Sequence, residues 1–284
     1  MIYVRSSFSI NVCNIPPKSV KKVPEDELKL FQKYMLQKTG KAGLLPFEHQ
    51  AIAFDSIKQN KNITLVAGTA AGKTLAVAIP IFAKLLKNKI QKVMFLYPTI
   101  ALMEDQLSVL KDLMGTAGLD EEEMGYIHGN MTRSKLMYNL SKKIIVATPD
   151  AIYWFFRKNI KYNSLLIYGL CQVDEFVLDE AHVFTGLSLH NLKLFFERIQ
   201  LLQKQYMSKT SRLHVLTATP REEVFSLNNG CLIKGRSKCK DVLVKVFNSS
   251  PFEKLQDFEH LMNKAIDKNY KKVIILREVL QNIK

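Results

Sequence analysis

The sequence predicts an α/β fold, a parallel sheet with helices on both faces. Three observations lead there. Short apolar segments rich in β-branched residues alternate with stretches of helical period along most of the chain. Each such segment ends in a polar turn, where a doubly wound sheet carries its functional loops. No internal repeat or low-complexity segment competes with that reading.

The elements follow in order. Residues 1 to 24 alternate in part (Ile2, Val4, then Phe8, Ile10, Val12) and end at Pro16-Pro17, which reads as a strand or hairpin and a turn. Glu25 to Lys38 is an amphipathic helix with Leu28, Phe31 and Met35 on one side, and Gly40 and Gly43 lie beyond its end. After Pro46 a second helix spans Glu48 to Gln59. The strands are Ile63 to Val66, Lys92 to Tyr97, Met124 to His128, Lys143 to Ala147, Glu175 to Leu178 and Leu213 to Leu216. Thr74 to Leu86 is helical, with a kink expected at Pro80. Lys204 to Lys245 is a basic segment containing Gly230 and Gly235. Phe252 to Tyr270 then reads as a helix and Lys271 to Leu276 as a strand, the start of a second α/β unit.

Composition narrows the class. The net charge of +15, from 41 basic and 26 acidic side chains, favours a polyanionic partner such as nucleic acid, against the competing explanation of a lysine-rich proteome. Four widely spaced cysteines with no C-x-x-C pair suggest neither a disulfide framework nor a zinc site. No stretch approaches the ~18 apolar residues of a membrane span. A cytoplasmic protein that does not enter a membrane is expected.

Residues 64 to 74 read TLVAGTAAGKT. A strand stops, a turn rich in small residues follows, and a helix opens, the arrangement in which backbone N–H groups and a helix N-terminus hold phosphates. Gly72-Lys73-Thr74 matches the end of a phosphate-binding loop, while Ala67 stands where the general pattern has glycine. The cradle would be Ala67, Gly68, Thr69, Ala70, Ala71 and Gly72, with Lys73 reaching the terminal phosphates and the Thr74 hydroxyl ligating Mg²⁺. Alanine serves where the backbone keeps ordinary dihedrals. The competing explanation is a chance Gly-Lys-Thr at a strand-to-helix turn.

At the end of the strand EFVL stand Asp179-Glu180-Ala181-His182. An aspartate at a strand tip in the same sheet can hold Mg²⁺ through its water shell, and an adjacent glutamate can polarise the water that attacks a γ-phosphate. From about Pro46 to Pro220 the chain resembles the DEAH-type members of helicase superfamily 2. That resemblance implies two RecA-like domains with ATP between them, and hence a RecA-like sheet here. It implies that Gln50 reads adenine, with Phe47 where many members have arginine. Ala67 and Thr69 match the family's own loop variant, and Ala70 departs from its usual glycine.

Pro98-Thr99-Ile100-Ala101-Leu102 resembles the first strand-contacting motif, with Gln106 on the helix that follows. Thr148-Pro149-Asp150 resembles the second, and His128-Gly129 a further backbone-contact turn. Hydroxyls and free amides at helix starts bind phosphate oxygens without reading bases. The resemblance makes Pro98, Thr99, Gly129, Thr148 and Pro149 the nucleic-acid contacts. It makes Thr217-Ala218-Thr219 the motif that couples ATP state to strand movement, by hydrogen bonding towards His182.

Residues 173–199 and the stretch TATPREEVF resemble the helicase part of the CRISPR-associated helicase-nuclease. No histidine here is followed by aspartate, so that resemblance implies a separate nuclease subunit and a CRISPR effector complex as partners, and single-stranded DNA as substrate. The second-domain arginine motif of the superfamily is not found, and its lack costs phosphoryl transfer ~10³ to 10⁵ in rate. The expected organisation is an N-terminal extension over 1–45, a RecA-like domain over 46–245 and the incomplete start of another over 246–284. Such a chain would bind ATP–Mg²⁺, hydrolyse slowly and not translocate. The alternatives are an ATP-responsive nucleic-acid-binding module without productive turnover, or an RNA helicase.

Overall fold

The computed structural model describes residues 3–10, 23–68, 71–129, 131–158, 163–219, 221–235 and 242–248. Two compact units divide the chain, one formed by residues 15–239 and the other by residues 1–14 with 240–284. In the smaller unit, β1 (Tyr3–Ile10) pairs antiparallel with β9 (Val242–Asn248). The first alternating segment is thus a strand whose partner comes from the far end of the chain rather than from a hairpin. The helix and strand read over residues 252–276 lie outside the described residues.

The larger unit is built on seven strands: β2 (Ile63–Val66), β3 (Val93–Leu96), β4 (Met124–Ile127), β5 (Ile144–Ala147), β6 (Glu175–Leu178), β7 (Arg212–Thr217) and β8 (Cys231–Lys234). They lie in the order β4-β5-β3-β6-β7-β2-β8, and every pairing is parallel. The RecA-like α/β fold read from the sequence is the fold observed. Four of the six anticipated strands are trimmed or extended by a residue at one or both ends, and β2 and β6 keep their anticipated bounds. The seventh, β8, was not anticipated: it is an edge strand in which only Ile233 is buried, so it carries no apolar run for the eye to catch.

Successive side chains of a strand point to opposite faces. In β3, Val93 and Phe95 enter one core, with α1 (Glu25–Thr39), α2 (Glu48–Lys58), α3 (Lys73–Leu86) and α4 (Ile100–Ala117); Met94 and Leu96 enter the other. That second core includes residues of α5 (Arg133–Leu140), α6 (Pro149–Lys158), α7 (Asn163–Cys171) and α8 (Gly186–Met207). Burial on both faces is why these strands read as continuous apolar runs. A short α9 (Glu222–Phe225) precedes β8. Among the described residues no helix is long and apolar enough to cross a membrane.

Helix α3 continues through Pro80 as one element. Proline removes one helical hydrogen bond, but almost every side chain from Ala76 to Leu85 is buried, so packing on all sides holds the helix. At the amino ends of the strands the buried Glu175 accepts from Lys84 Nζ at 2.6 Å and pairs with His214 Nε2 at 2.5 Å. Burial raises the Glu175 carboxyl, yet His214 and Lys84 pull it back, and the balance lies below the usual carboxylate range.

Candidate functional site

Because all seven strands are parallel, every loop named in the sequence leaves the same carboxyl rim. At the end of β2, Ala67 is buried and keeps an ordinary backbone. Its N–H donates to Thr217 O at 3.1 Å. Alanine is therefore tolerated there. Gly72 takes the left-handed conformation (φ +72°), and a Cβ on it would meet Gln50 Nε2 at 2.5 Å, so glycine is required for both reasons. Thr69 and Ala70 lie outside the described residues.

Gly72 caps α3 without any side-chain hydrogen bond, and no acidic residue stands in the first turn. The first N–H groups of that helix thus have no side-chain acceptor, which leaves them for an anion. Gln50 is buried against this turn: its Nε2 donates to Gly72 O at 3.2 Å and its Oε1 accepts from Phe47 N at 2.9 Å.

The two loops meet. Thr74 Oγ1 lies 3.3 Å from Asp179 Oδ2 and 3.0 Å from Gln106 Oε1. Lys73 Nζ, buried, lies 3.4 Å from Glu180 Oε1 and 3.5 Å from Gly68 O. Asp179 is only 4 % exposed; burial, then the neighbouring Glu180 carboxylate, push its carboxyl up to about 6. Glu180 itself sits at φ +47°, a left-handed backbone that a non-glycine residue adopts at a cost of ~1–2 kcal/mol. Its N–H donates to Asp179 Oδ1 at 2.7 Å. His182 Nδ1 is 3.2 Å from Glu180 Oε2, an ion-pair distance whose angles make no hydrogen bond.

Thr217, fully buried, donates its hydroxyl to Thr219 O at 2.9 Å, and Thr219 N–H donates back at 3.3 Å. The hydrogen bond towards His182 that the resemblance implied is not made. A closed two-residue turn satisfies the Thr217 hydroxyl locally, and His182 faces Glu180 instead.

A separate depression of about 330 Å³ on this rim is lined by Pro98, Thr99, Ile100, Gly129, Thr148, Asp150 and Ala151. It gathers Pro98, Thr99, Gly129 and Thr148 from the ends of β3, β4 and β5. Thr99 caps α4, accepting from Leu102 N at 3.2 Å, which leaves its hydroxyl proton for another partner. Pro149, the first residue of α6, is not in the lining but directs that helix N-terminus from the same turn.

The sequence profile of the DEAD/DEAH box helicase family matches residues 47–227, more than half of the chain. The chain belongs to that family. It is 25 % identical over 162 residues to the uncharacterised ATP-dependent helicase YprA of Bacillus subtilis (strain 168), covering 57 % of this chain and 21 % of that protein. It is 34 % identical over 141 residues to the putative ATP-dependent RNA helicase MJ1505 of Methanocaldococcus jannaschii, covering 48 % of this chain and 16 % of that protein. Its fold is similar to the crystal structure of the DUF1998 helicase MrfA bound to DNA and AMPPNP, with a TM-score of 0.69 at 18 % identity, covering 93 % of this chain and 37 % of that one. The chain thus spans about a fifth or less of these two curated relatives.

Two residues of this helicase domain escaped the sequence reading of the site, and a third, Gln106, was placed there only on the helix after the first strand-contacting motif. Buried His49, held below its usual range by burial, donates from Nε2 to Ala71 O at 2.9 Å and ties α2 to the phosphate loop. Gly235 packs so close that a Cβ would meet Ala67 Cβ at 2.7 Å. Gln106 reaches Thr74 from another helix. His49 had a signal, one position before Gln50; Gly235 and Gln106 depend on contacts between elements distant in sequence.

Proposed function

We propose that residues 46–245 form the ATP–Mg²⁺-binding motor domain of a nucleic-acid helicase or translocase. The observation that carries this is the meeting of Thr74 and Asp179 at 3.3 Å beside Lys73 and Glu180 at 3.4 Å. A hydroxyl and a carboxylate are hard oxygen donors of the kind a small divalent cation takes. The raised Asp179 carboxyl also marks negative charge that lacks compensation. Thr74 and Asp179 would hold Mg²⁺, which when bound neutralises charge on the β- and γ-phosphate oxygens. Lys73 and the uncapped start of α3 receive the phosphates, Gln50 lies where it can meet the base, and Glu180 holds the attacking water at the open side of the site. The Ala67-to-Thr217 hydrogen bond supports a relay from the phosphate loop through Thr217 and Thr219, with His182 joining through Glu180.

Thr99 and Thr148, at two converging helix starts, are the strand-backbone contacts in this reading. Contacts of that kind carry little information about the sugar. DNA is favoured by the net charge together with the likeness of the fold to a DNA-bound helicase, and RNA remains the second substrate class because one relative is named as an RNA helicase. A role in CRISPR-type defence, beside an effector complex and a separate nuclease subunit, rests only on the resemblance of residues 173–199 and of the stretch TATPREEVF. The start of a second RecA-like domain over 246–284 belongs to the same proposal.

The test is single-turnover ATP hydrolysis by wild type and Glu180→Gln, with and without single-stranded DNA or RNA at stated salt. Equal rates for both proteins would favour the binding-module alternative and end the motor reading.

A further inference from the structure

The reading above leaves Gln106 without a role, although it makes the shorter of the two contacts to Thr74. Its Oε1 lies 3.0 Å from Thr74 Oγ1, against 3.3 Å for Asp179 Oδ2. A threonine hydroxyl has one proton and two lone pairs. To ligate a cation at the ~2.1 Å that Mg²⁺ demands, it must present a lone pair and turn its proton away. Asp179 is a poor place to send that proton, because the same carboxylate is needed by the metal's water shell. Gln106 offers a neutral acceptor on the other side.

The position of that acceptor is fixed by α4, on which Gln106 stands two turns after the capping Thr99, about 10 Å along the axis. The first turn of the same helix lines the depression that gathers Thr99 and Thr148. One rigid element therefore carries both a strand-facing end and the partner of the metal-ligating hydroxyl.

We infer that Gln106 is a positioning residue for the metal site: it accepts the Thr74 proton and so orients the Thr74 lone pair towards Mg²⁺. This rests on the ATP–Mg²⁺ reading of the site. Gln106→Met removes the acceptor at similar length, and Gln106→Glu keeps an oxygen at the same reach. Gln106 is only half-buried, so Gln106→Ala is a second acceptor-free variant should methionine fold poorly.

The experiment titrates Mg²⁺ from EDTA and follows binding of a fluorescent, non-hydrolysable ATP analogue, with the unfolding midpoint as a control. Gln106→Met should keep the metal-free analogue affinity and raise the Mg²⁺ concentration at half-effect ~10-fold or more, as loss of a partner behind a metal ligand does. Gln106→Glu should restore the wild-type value. In a Thr74→Ala background, Gln106→Met should add nothing. An unchanged Mg²⁺ midpoint in Gln106→Met, or the same shift persisting without the Thr74 hydroxyl, overturns the inference alone. Wild type that binds the analogue indifferently to Mg²⁺ overturns the underlying reading with it.

Discussion

Lys73 Nζ stands 3.4 Å from Glu180 Oε1, so the cation at the head of α3 and the carboxylate beyond β6 are neighbours although 107 positions separate them in sequence. If the loop receives phosphates as proposed, they would compete with Glu180 for that ammonium. Binding and release of the carboxylate are therefore linked events at one pair.

Replacing Lys73 by alanine should abolish ATP binding measured by calorimetry while leaving the circular dichroism spectrum unchanged. The polar contacts of Lys73 among the described residues are to Gly68 O and Glu180, and both lie in the site rather than in the apolar core. Full ATP affinity in the variant would remove the phosphate loop from the site.

Glu180→Gln should bind the nucleotide normally and slow single-turnover hydrolysis ~10² to 10⁴-fold, the usual worth of a general base or water-positioning carboxylate. Quench-flow at saturating ATP is the measurement. Slower binding with unchanged chemistry would assign Glu180 to holding Lys73 instead.

Asp179→Asn should stabilise the protein in EDTA at neutral pH. The Asp179 carboxyl titrates near 6 when folded and near 3.8 when unfolded, so the folded chain holds a proton more tightly between those values. Its contribution to stability therefore falls as pH rises from about 4 to about 6 and stays low above. Asparagine removes that cost, for a gain on the order of 2 kcal/mol at pH 7 and a flatter profile across the window. Denaturant midpoints at pH 4, 6 and 8 would reveal it; a destabilised variant at pH 8 would contradict the burial argument.

Gly72→Ala should weaken ATP binding more than it weakens the fold. The added methyl collides with Gln50 Nε2 at a backbone already left-handed, which costs about 1–2 kcal/mol and moves Gln50 off the loop. Comparing ATP with GTP affinity tells whether base preference falls along with overall affinity.

Lys84→Met should destabilise by about 3 kcal/mol, because it leaves the buried Glu175 with His214 alone. Glu175 titrates below its ordinary value of 4.5, so its contribution is complete above that pH and is lost as pH falls through the folded value. The variant should begin to lose stability at a higher pH than wild type in an acid titration followed by fluorescence.

The meeting of Thr74 with Asp179 was legible because each motif carries its own address: a strand, a turn, then a helix or carboxylate pair, all of which a parallel sheet delivers to one rim. β8 was not legible, since an edge strand with one buried side chain has neither an apolar run nor clean alternation. The long α8 was passed over although Ser188 accepts from Thr185 N at its start. Gln106 was placed on its helix, but its contact with Thr74 was not legible, because a glutamine on an amphipathic helix says nothing about which distant hydroxyl it faces.

The strand order sets β7 alone between β2 and β6. Neighbouring strands lie about 4.8 Å apart, so the loops bearing Lys73 and Asp179 spring from points roughly 10 Å from each other. In the proposed reading, that spacing would set the width available to a phosphate chain with its counter-ion. Any change that shifts β7 sideways should loosen both walls of that slot together.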